Sequence, residues 1–197
     1  GFRFCGMIDD TPVRAPWFDV DGFVYASSMS TPASDSLWRT DGTAAGTTVA
    51  ASFTPGGFAT MGFGSPAALG AKVALPDKVV VALIGDGGFG QNPAALATAF
   101  EEDIAVIWVI MNNHAFGTIA GLEAAHYGTT FGTVFEKDGK TWSPDFAAIA
   151  RAYGVDGVKV GSAAEFKPAL EKAIKSKRPV VIDVYMKNEP VPTAGHW

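Results

Sequence analysis

An aspartate set among glycines and a pair of asparagines are the residues of this 197-residue chain best placed to do chemistry. Asp86 lies in Gly85-Asp86-Gly87-Gly88-Phe89-Gly90, and 24 residues separate Gly87 from Asn112-Asn113. Read alone, the first cluster fits the GxGxxG dinucleotide fingerprint, with an apolar run before it and a helix expected after it. Two features resist that reading. A carboxylate at Asp86 would face the pyrophosphate with like charge, and the next strand ends in Asn112-Asn113 where a ribose-binding acid belongs. Both become requirements if a divalent cation lies between protein and diphosphate. A hard cation such as magnesium takes about six oxygen ligands, one or two of them from protein carboxylates or amides and the rest from phosphate and water. Asp86 and Asn113 supply two, while Gly87 and Gly88 let the backbone approach. The helix expected to begin near Asn92 would aim free N–H groups at the anion.

The elements that must hold these residues are legible in the apolar pattern. Lys78 to Ile84 is a continuous apolar run of strand length and Ala105 to Met111 a second buried strand, with a short strand expected over Val155 to Val160 and a last one over Pro179 to Tyr185. Helices are expected over Phe63 to Leu75, Asn92 to Asp103, Pro144 to Tyr153 beginning beside Ser143, and Ala163 to Ser176. Alternation of this kind predicts an α/β fold: a doubly wound, mostly parallel sheet with helices on both faces, whose ligands bind at the strand carboxyl ends. Residues 1–55 differ. They are rich in Ser, Thr, Pro and Gly, and read as an irregular β- and turn-rich leader with a strand at Phe23-Val24-Tyr25-Ala26 and a turn at Asp41-Gly42. The chain is therefore expected to divide into this leader and one α/β domain over 56–197. Leu37 to Thr47 resembles a single LWxxDGTxxGT unit, and one unit cannot build a repeat fold.

Composition narrows the function classes. Fifteen Lys and Arg against twenty Asp and Glu, with no basic run, argue against a nucleic-acid partner. A single cysteine, Cys5, excludes an internal disulfide framework and a Cys-rich zinc site. No apolar run approaches the roughly 20 residues of a membrane span, so the expected location is cytoplasmic. Plain alternatives stand beside the functional ones: Met61 as a core gap-filler, Asp86 as a turn residue, and Lys167, Lys172, Lys175 and Lys177 as a solvated helix face.

The spacing of Gly85-Asp86-Gly87 and Asn112-Asn113 resembles the GDG-to-NN motif of thiamine-diphosphate enzymes. Upstream, the stretch from Gly56 to Ala71, GGFATMGFGSPAALGA, is similar to the one preceding GDG in acetolactate synthases and related 2-oxoacid enzymes. The resemblance spans 56 to about 186. It implies thiamine diphosphate and Mg2+ as cofactors, with Asp86, Asn113 and the carbonyl of Ala115 as metal ligands. Gly85, Gly87, Gly88, His114, Phe116 and Gly117 would line the diphosphate. Met61 would be the apolar wedge that bends the cofactor, and the backbone of Ala59 would meet its aminopyrimidine. His114 is then a neighbour of the metal rather than a base, and His126 and His196 are surface or second-domain contacts.

The same resemblance implies a small 2-oxoacid substrate and carbon–carbon bond cleavage or formation. It also implies an activating glutamate from a separate pyrimidine-binding domain or subunit, for which residues 1–55 offer no match, so that a homo- or hetero-oligomer would complete the site. Glu101, Glu102 and Glu123 are expected on the diphosphate side without being that acid. Leu122 stands where acetohydroxyacid synthases carry a Trp, and the segment Thr129 to Trp142 is expected either to order over the cofactor or to be a mobile excursion. Two other classes remain open at this point: a Rossmann-type nucleotide-binding oxidoreductase and a non-catalytic binding module.

Overall fold

A computed structural model describes residues 60–188 in full and, ahead of them, the backbone of six strands between Met7 and Ser52. The leading strands are β1 (Met7–Ile8), β2 (Thr11–Pro12), β3 (Phe18–Val20), β4 (Phe23–Met29), β5 (Asp35–Thr40) and β6 (Thr48–Ser52). The first two pair with each other, and β3 to β6 form an antiparallel sheet in chain order, with a register shift between Leu37 and Trp38. The strand expected at Phe23-Val24-Tyr25-Ala26 lies within β4. The Asp41-Gly42 turn lies outside the described residues.

The main sheet is built from β7 (Val80–Gly85), β8 (Val106–Asn112), β11 (Asp156–Val160) and β12 (Val180–Tyr185), ordered β11-β12-β8-β7 and parallel throughout. Their apolar runs form strands because side chains alternate between two covered faces. On one face Val106, Trp108, Ile110 and Val181 pack against Ala68 of α1 (Gly64–Ala74), Phe89 of α2 (Asp86–Gly90), Leu96 and Ala99 of α3 (Ala95–Glu101), and Phe146 and Ala150 of α5 (Phe146–Ala152). On the other, Ile107, Val109, Val180 and Ile182 meet Phe166, Leu170 and Ala173 of α6 (Ala163–Ser176). The chain moves from β7 through β8 to β11 in one direction and returns to β12. A right-handed crossover in the reverse direction must lie on the opposite face, which is where α6 sits.

Two elements were not foreseen: α4 (Gly117–Tyr127) and the hairpin of β9 (Glu136–Lys137) with β10 (Lys140–Thr141). The hairpin turns at Asp138 and Gly139, with φ of 54° and 72°. Positive φ at both central residues is the arrangement whose twist matches the flanking strands. Helix α5 is also capped differently from expectation. Asp145, not Ser143, is its N-cap, and the Asp145 carboxylate accepts from the Ala148 amide at 2.8 Å. The four lysines of the α6 region are exposed, as a solvated face requires.

Candidate functional site

The carboxyl ends of the adjacent strands β7 and β8 bring Asp86 and Asn113 to the same edge of the sheet. Strand β7 passes directly into the helical turn α2, so the backbone N–H groups nearest the strand end belong to Asp86–Gly90 and not to a helix starting at Asn92. Pro93 delays the next helix to Ala95. Phe89 anchors α2: it is fully buried and packs edge to face on Phe146, with ring centroids 5.6 Å apart. Burying a side chain of that size contributes about 1.5–3 kcal/mol, enough to hold a turn rich in glycine.

Asp86 itself is 2% exposed. One carboxylate oxygen accepts from the Gly87 amide at 2.7 Å and the other from the Ala115 amide at 3.2 Å. Burial pushes its pKa above the ordinary value, and the backbone donors of Gly87, Ala115 and His114 pull it back. Each oxygen keeps a lone pair beyond the amide it accepts, so the group can still ligate a cation. Asn113 donates through Nδ2 to Asn188 Oδ1 at 3.3 Å, which leaves its own Oδ1 as an acceptor.

The glycines are needed by space. A Cβ on Gly87 would strike the Phe116 ring and come within 3.0 Å of Met61 Cε, and a Cβ on Gly117 would lie 2.6 Å from Asn113 Nδ2. Gly87 therefore packs directly against Phe116 and Met61. Met61 is 42% exposed there, so it is not the core gap-filler that its type allows. Ala59, the remaining site residue expected from sequence, and His196 lie outside the described residues. Gly85 ends β7 and Gly88 packs near Ile84, where a Cβ would come within 3.2 Å of the Ile84 Cγ2.

Behind the asparagine pair is a network that sequence reading missed. Asn112 is fully buried, and its Nδ2 donates to Ser143 Oγ at 3.0 Å and to Asp183 Oδ1 at 3.0 Å. Its Oδ1 accepts from the His114 amide at 3.4 Å, and His114 Nδ1 lies 3.0 Å from Ser143 Oγ. His114 takes a left-handed φ of 60° and stacks near Tyr185, with ring centroids 5.5 Å apart. Ser143, expected to start a helix, instead joins Asn112 to His114.

The Thr129–Trp142 segment is tied down among the described residues. Ala115 pairs with Val134, Phe116 N–H donates to the Thr133 carbonyl at 2.8 Å, and Phe135 N–H donates to the His114 carbonyl at 2.8 Å. Glu123 clasps the same segment, accepting from Thr133 Oγ1 at 2.6 Å and from the Phe131 amide at 3.1 Å. Glu101 ends α3 and Glu102 caps it, near the start of β8. They belong to the opposite end of the sheet, contrary to the expectation that placed them with the diphosphate. Among the described residues no three His, Cys, Asp or Glu side chains gather as a metal cluster, so a cation here would have the single Asp86 carboxylate and would depend for the rest on amide, carbonyl and phosphate oxygens. No helix among the described residues is long and apolar enough to cross a membrane.

A parallel α/β sheet with a buried carboxylate, an amide and closely packed glycines at adjoining strand ends is of the α/β class that binds its ligands at the strand carboxyl ends. Comparison with known proteins makes this specific. The family model of the thiamine pyrophosphate enzyme C-terminal, cofactor-binding domain matches residues 43–184. The chain belongs to this family of thiamine-diphosphate enzymes. It is 41% identical over 129 residues to the probable acetolactate synthase large subunit of Methanocaldococcus jannaschii, covering 66% of this chain and 21% of that protein. It is 38% identical over 131 residues to the acetolactate synthase large subunit of Parasynechococcus marenigrum, again 66% of this chain and 21% of the relative. Among solved structures, the thiamine diphosphate-dependent 4-hydroxybenzoylformate decarboxylase of Rhodococcus jostii RHA1 superposes with a TM-score of 0.60 at 34% identity, covering 66% of this chain and 24% of that one. The chain spans about a fifth of the length of the curated relatives it matches.

Proposed function

We propose that residues 56–197 form the diphosphate-binding half of an acetolactate-synthase-like active site, with the β-rich leader as a separate unit. In this reading Mg2+ is held by Asp86, Asn113 and the Ala115 carbonyl. Gly85, Gly87, Gly88, His114, Phe116 and Gly117 line the diphosphate. The observation that carries the reading is Asp86: a buried carboxylate at a strand end, beside a glycine, Gly87, on which Phe116 and Met61 leave no room for a methyl. A bare anion would be repelled there, and a cation between the two relieves both charges. The donor set of carboxylate, amide and carbonyl oxygens suits magnesium, which keeps its remaining positions for phosphate and water.

Thiamine diphosphate, when bound, supplies the chemistry that breaks or forms the bond beside a 2-oxoacid carbonyl. The residues of this chain bind and orient it. Asp86 and Asn113 would hold the metal end, the amides of the α2 turn would meet the anion, and Met61 would offer the cofactor an apolar surface. Phe116, held edge to face by Phe135 at 4.9 Å, packs against Gly87 from the β8 side. The substrate class is a small 2-oxoacid, as the names of the synthase relatives suggest. The activating acid is assigned to a pyrimidine-binding domain or subunit, which makes the working protein a homo- or hetero-oligomer. Its setting is the cytoplasm.

The test is complementation. The purified chain alone is expected to release no carbon dioxide from pyruvate, and mixing with a pyrimidine-binding domain of a related enzyme should restore release. Decarboxylation by the isolated chain at ordinary enzymatic rates would place the activating acid within these residues and refute the half-site assignment.

A further inference from the structure

The Asn112 amide spends three of its four possible hydrogen bonds on holding parts of the protein together. Both Nδ2 hydrogens are used, one on Ser143 ahead of α5 and one on Asp183 in β12, and Oδ1 accepts from the His114 amide. Its backbone carbonyl also accepts, from the Met186 amide at 2.8 Å. A side chain engaged in this way and fully buried has one low-energy orientation, because any rotation strands a donor or acceptor away from water.

The orientation matters because the residues directly after Asn112 form the turn assigned to the metal. Asn113 and Ala115 are its ligands, and His114 between them holds a left-handed φ of 60° that non-glycine residues adopt at a cost. Something must over-determine that turn. Asn112 Oδ1 holds its amide, Ser143 Oγ holds its ring, and Phe135 holds its carbonyl. Asp183 is the far end of the brace. It is fully buried among apolar strands; its Oδ2 makes no well-formed hydrogen bond, and the nearby Phe146 amide only partly offsets the cost of burying its charge. A buried carboxylate left half satisfied is a poor choice for stability alone, since an apolar residue in a sheet interior would avoid the desolvation cost.

We propose that Asp183 and Ser143 are positioning residues for the metal–diphosphate turn, acting through Asn112 and His114 to aim Asn113 and the Ala115 carbonyl at the cation. This rests on the half-site reading above. Outer partners that orient metal ligands typically cost 10–100-fold in metal affinity when removed, although they never touch the metal.

Two measurements on the full chain test it. The first is hydrogen exchange without cofactor. Ser143→Ala and Asp183→Ala should speed exchange at the amides of His114, Ala115 and Phe116 while leaving α6 and the centre of β8 protected. The second is calorimetric binding of thiamine diphosphate across a magnesium titration. The same variants should need about 10–100-fold more magnesium for half-saturation. Asp183→Asn keeps an oxygen for Asn112 Nδ2 and should return both readouts close to the parent's. Unchanged exchange at 114–116 in both alanine variants overturns the proposal, as does an unchanged magnesium requirement accompanied only by lower thermal stability. If Asp183→Ala fails to fold, Ser143→Ala and Asp183→Asn carry the same decision. A parent chain that takes no thiamine diphosphate with magnesium sinks the half-site reading and the metal role with it; the exchange data then still decide whether the brace holds the turn.

Discussion

Two buried aspartates in the same sheet are treated in opposite ways. Asp86, at the end of β7, has a backbone amide on each oxygen and lies beside a glycine that Phe116 and Met61 crowd. Asp183, within β12, has one oxygen on Asn112 and the other short of a well-formed hydrogen bond, with the Phe146 amide as its further donor. Burial raises the pKa of both. Equal burial and equal charge therefore do not mark a site. What separates the two is whether the neighbourhood supplies donors for an incoming charge or only a neighbour to be held in place.

The largest effect expected from breaking this contrast is at Asp86. Asp86→Ala should abolish magnesium-dependent binding of thiamine diphosphate, measured calorimetrically, whereas Asp183→Asn should leave it near the parent level. Equal binding by Asp86→Ala and the parent would remove the distinction between the two carboxylates.

Space comes next. Gly87→Ala puts a methyl against a Phe116 ring that Phe135 holds edge to face, so the ring cannot simply swing aside. Overpacking of this kind costs about 1–3 kcal/mol, to be read from urea unfolding, and the same methyl should block the cofactor. Full stability with normal binding would mean that Gly87 is not required where the diphosphate goes.

The pH dependence sharpens the comparison further. Asp183 is raised above 3.8 first by burial, with the Asn112 hydrogen bond and the Phe146 backbone amide opposing. A carboxyl whose folded pKa exceeds its unfolded value stabilises the fold at acid pH, and that contribution fades as pH climbs from the unfolded value through the folded one. Asp183→Asn removes the titration. Thermal melts from pH 4 to pH 7 should therefore show the variant gaining on the parent as pH rises, and a constant difference across the range would contradict the raised pKa.

Met61→Ala should have the smallest effect on stability. With its side chain 42% exposed, it should cost less than the about 2 kcal/mol that opens the range for buried Met-to-Ala changes. Its binding loss should be modest, and its signature should be slower proton exchange at C2 of the bound cofactor once the pyrimidine-binding half is present. Equal exchange rates in Met61→Ala and the parent would deny it the wedge role.

The parts legible in sequence are those whose physics is local. The strands β7 and β8 are apolar runs because both faces of the sheet are covered there, and α6 spans the expected Ala163–Ser176 because its apolar residues recur at helical spacing. Helix α4 was hidden because it opens on Gly117, Gly121 interrupts it and Ala120 is its only buried residue, so it has no apolar stripe to read. The turn α2 was hidden because three of its five residues are glycine. Asp138-Gly139 carries a hairpin signal that is readable in sequence. At the site, Asp86 and Asn113 could be found because each sits at the end of its own strand. The brace could not: Ser143 and Asp183 lie 31 and 71 residues from Asn112, and only the strand order brings them together.

The most direct test of a metal-bridged diphosphate site at the ends of β7 and β8 is one calorimetric titration. Thiamine diphosphate is added to the chain with magnesium, with chelator, and against NAD as a rival ligand. Saturable binding that appears only with magnesium, and none of NAD, is the expected result. Binding of NAD without metal, or of thiamine diphosphate with equal affinity in chelator, would contradict the assignment of Asp86 and Asn113.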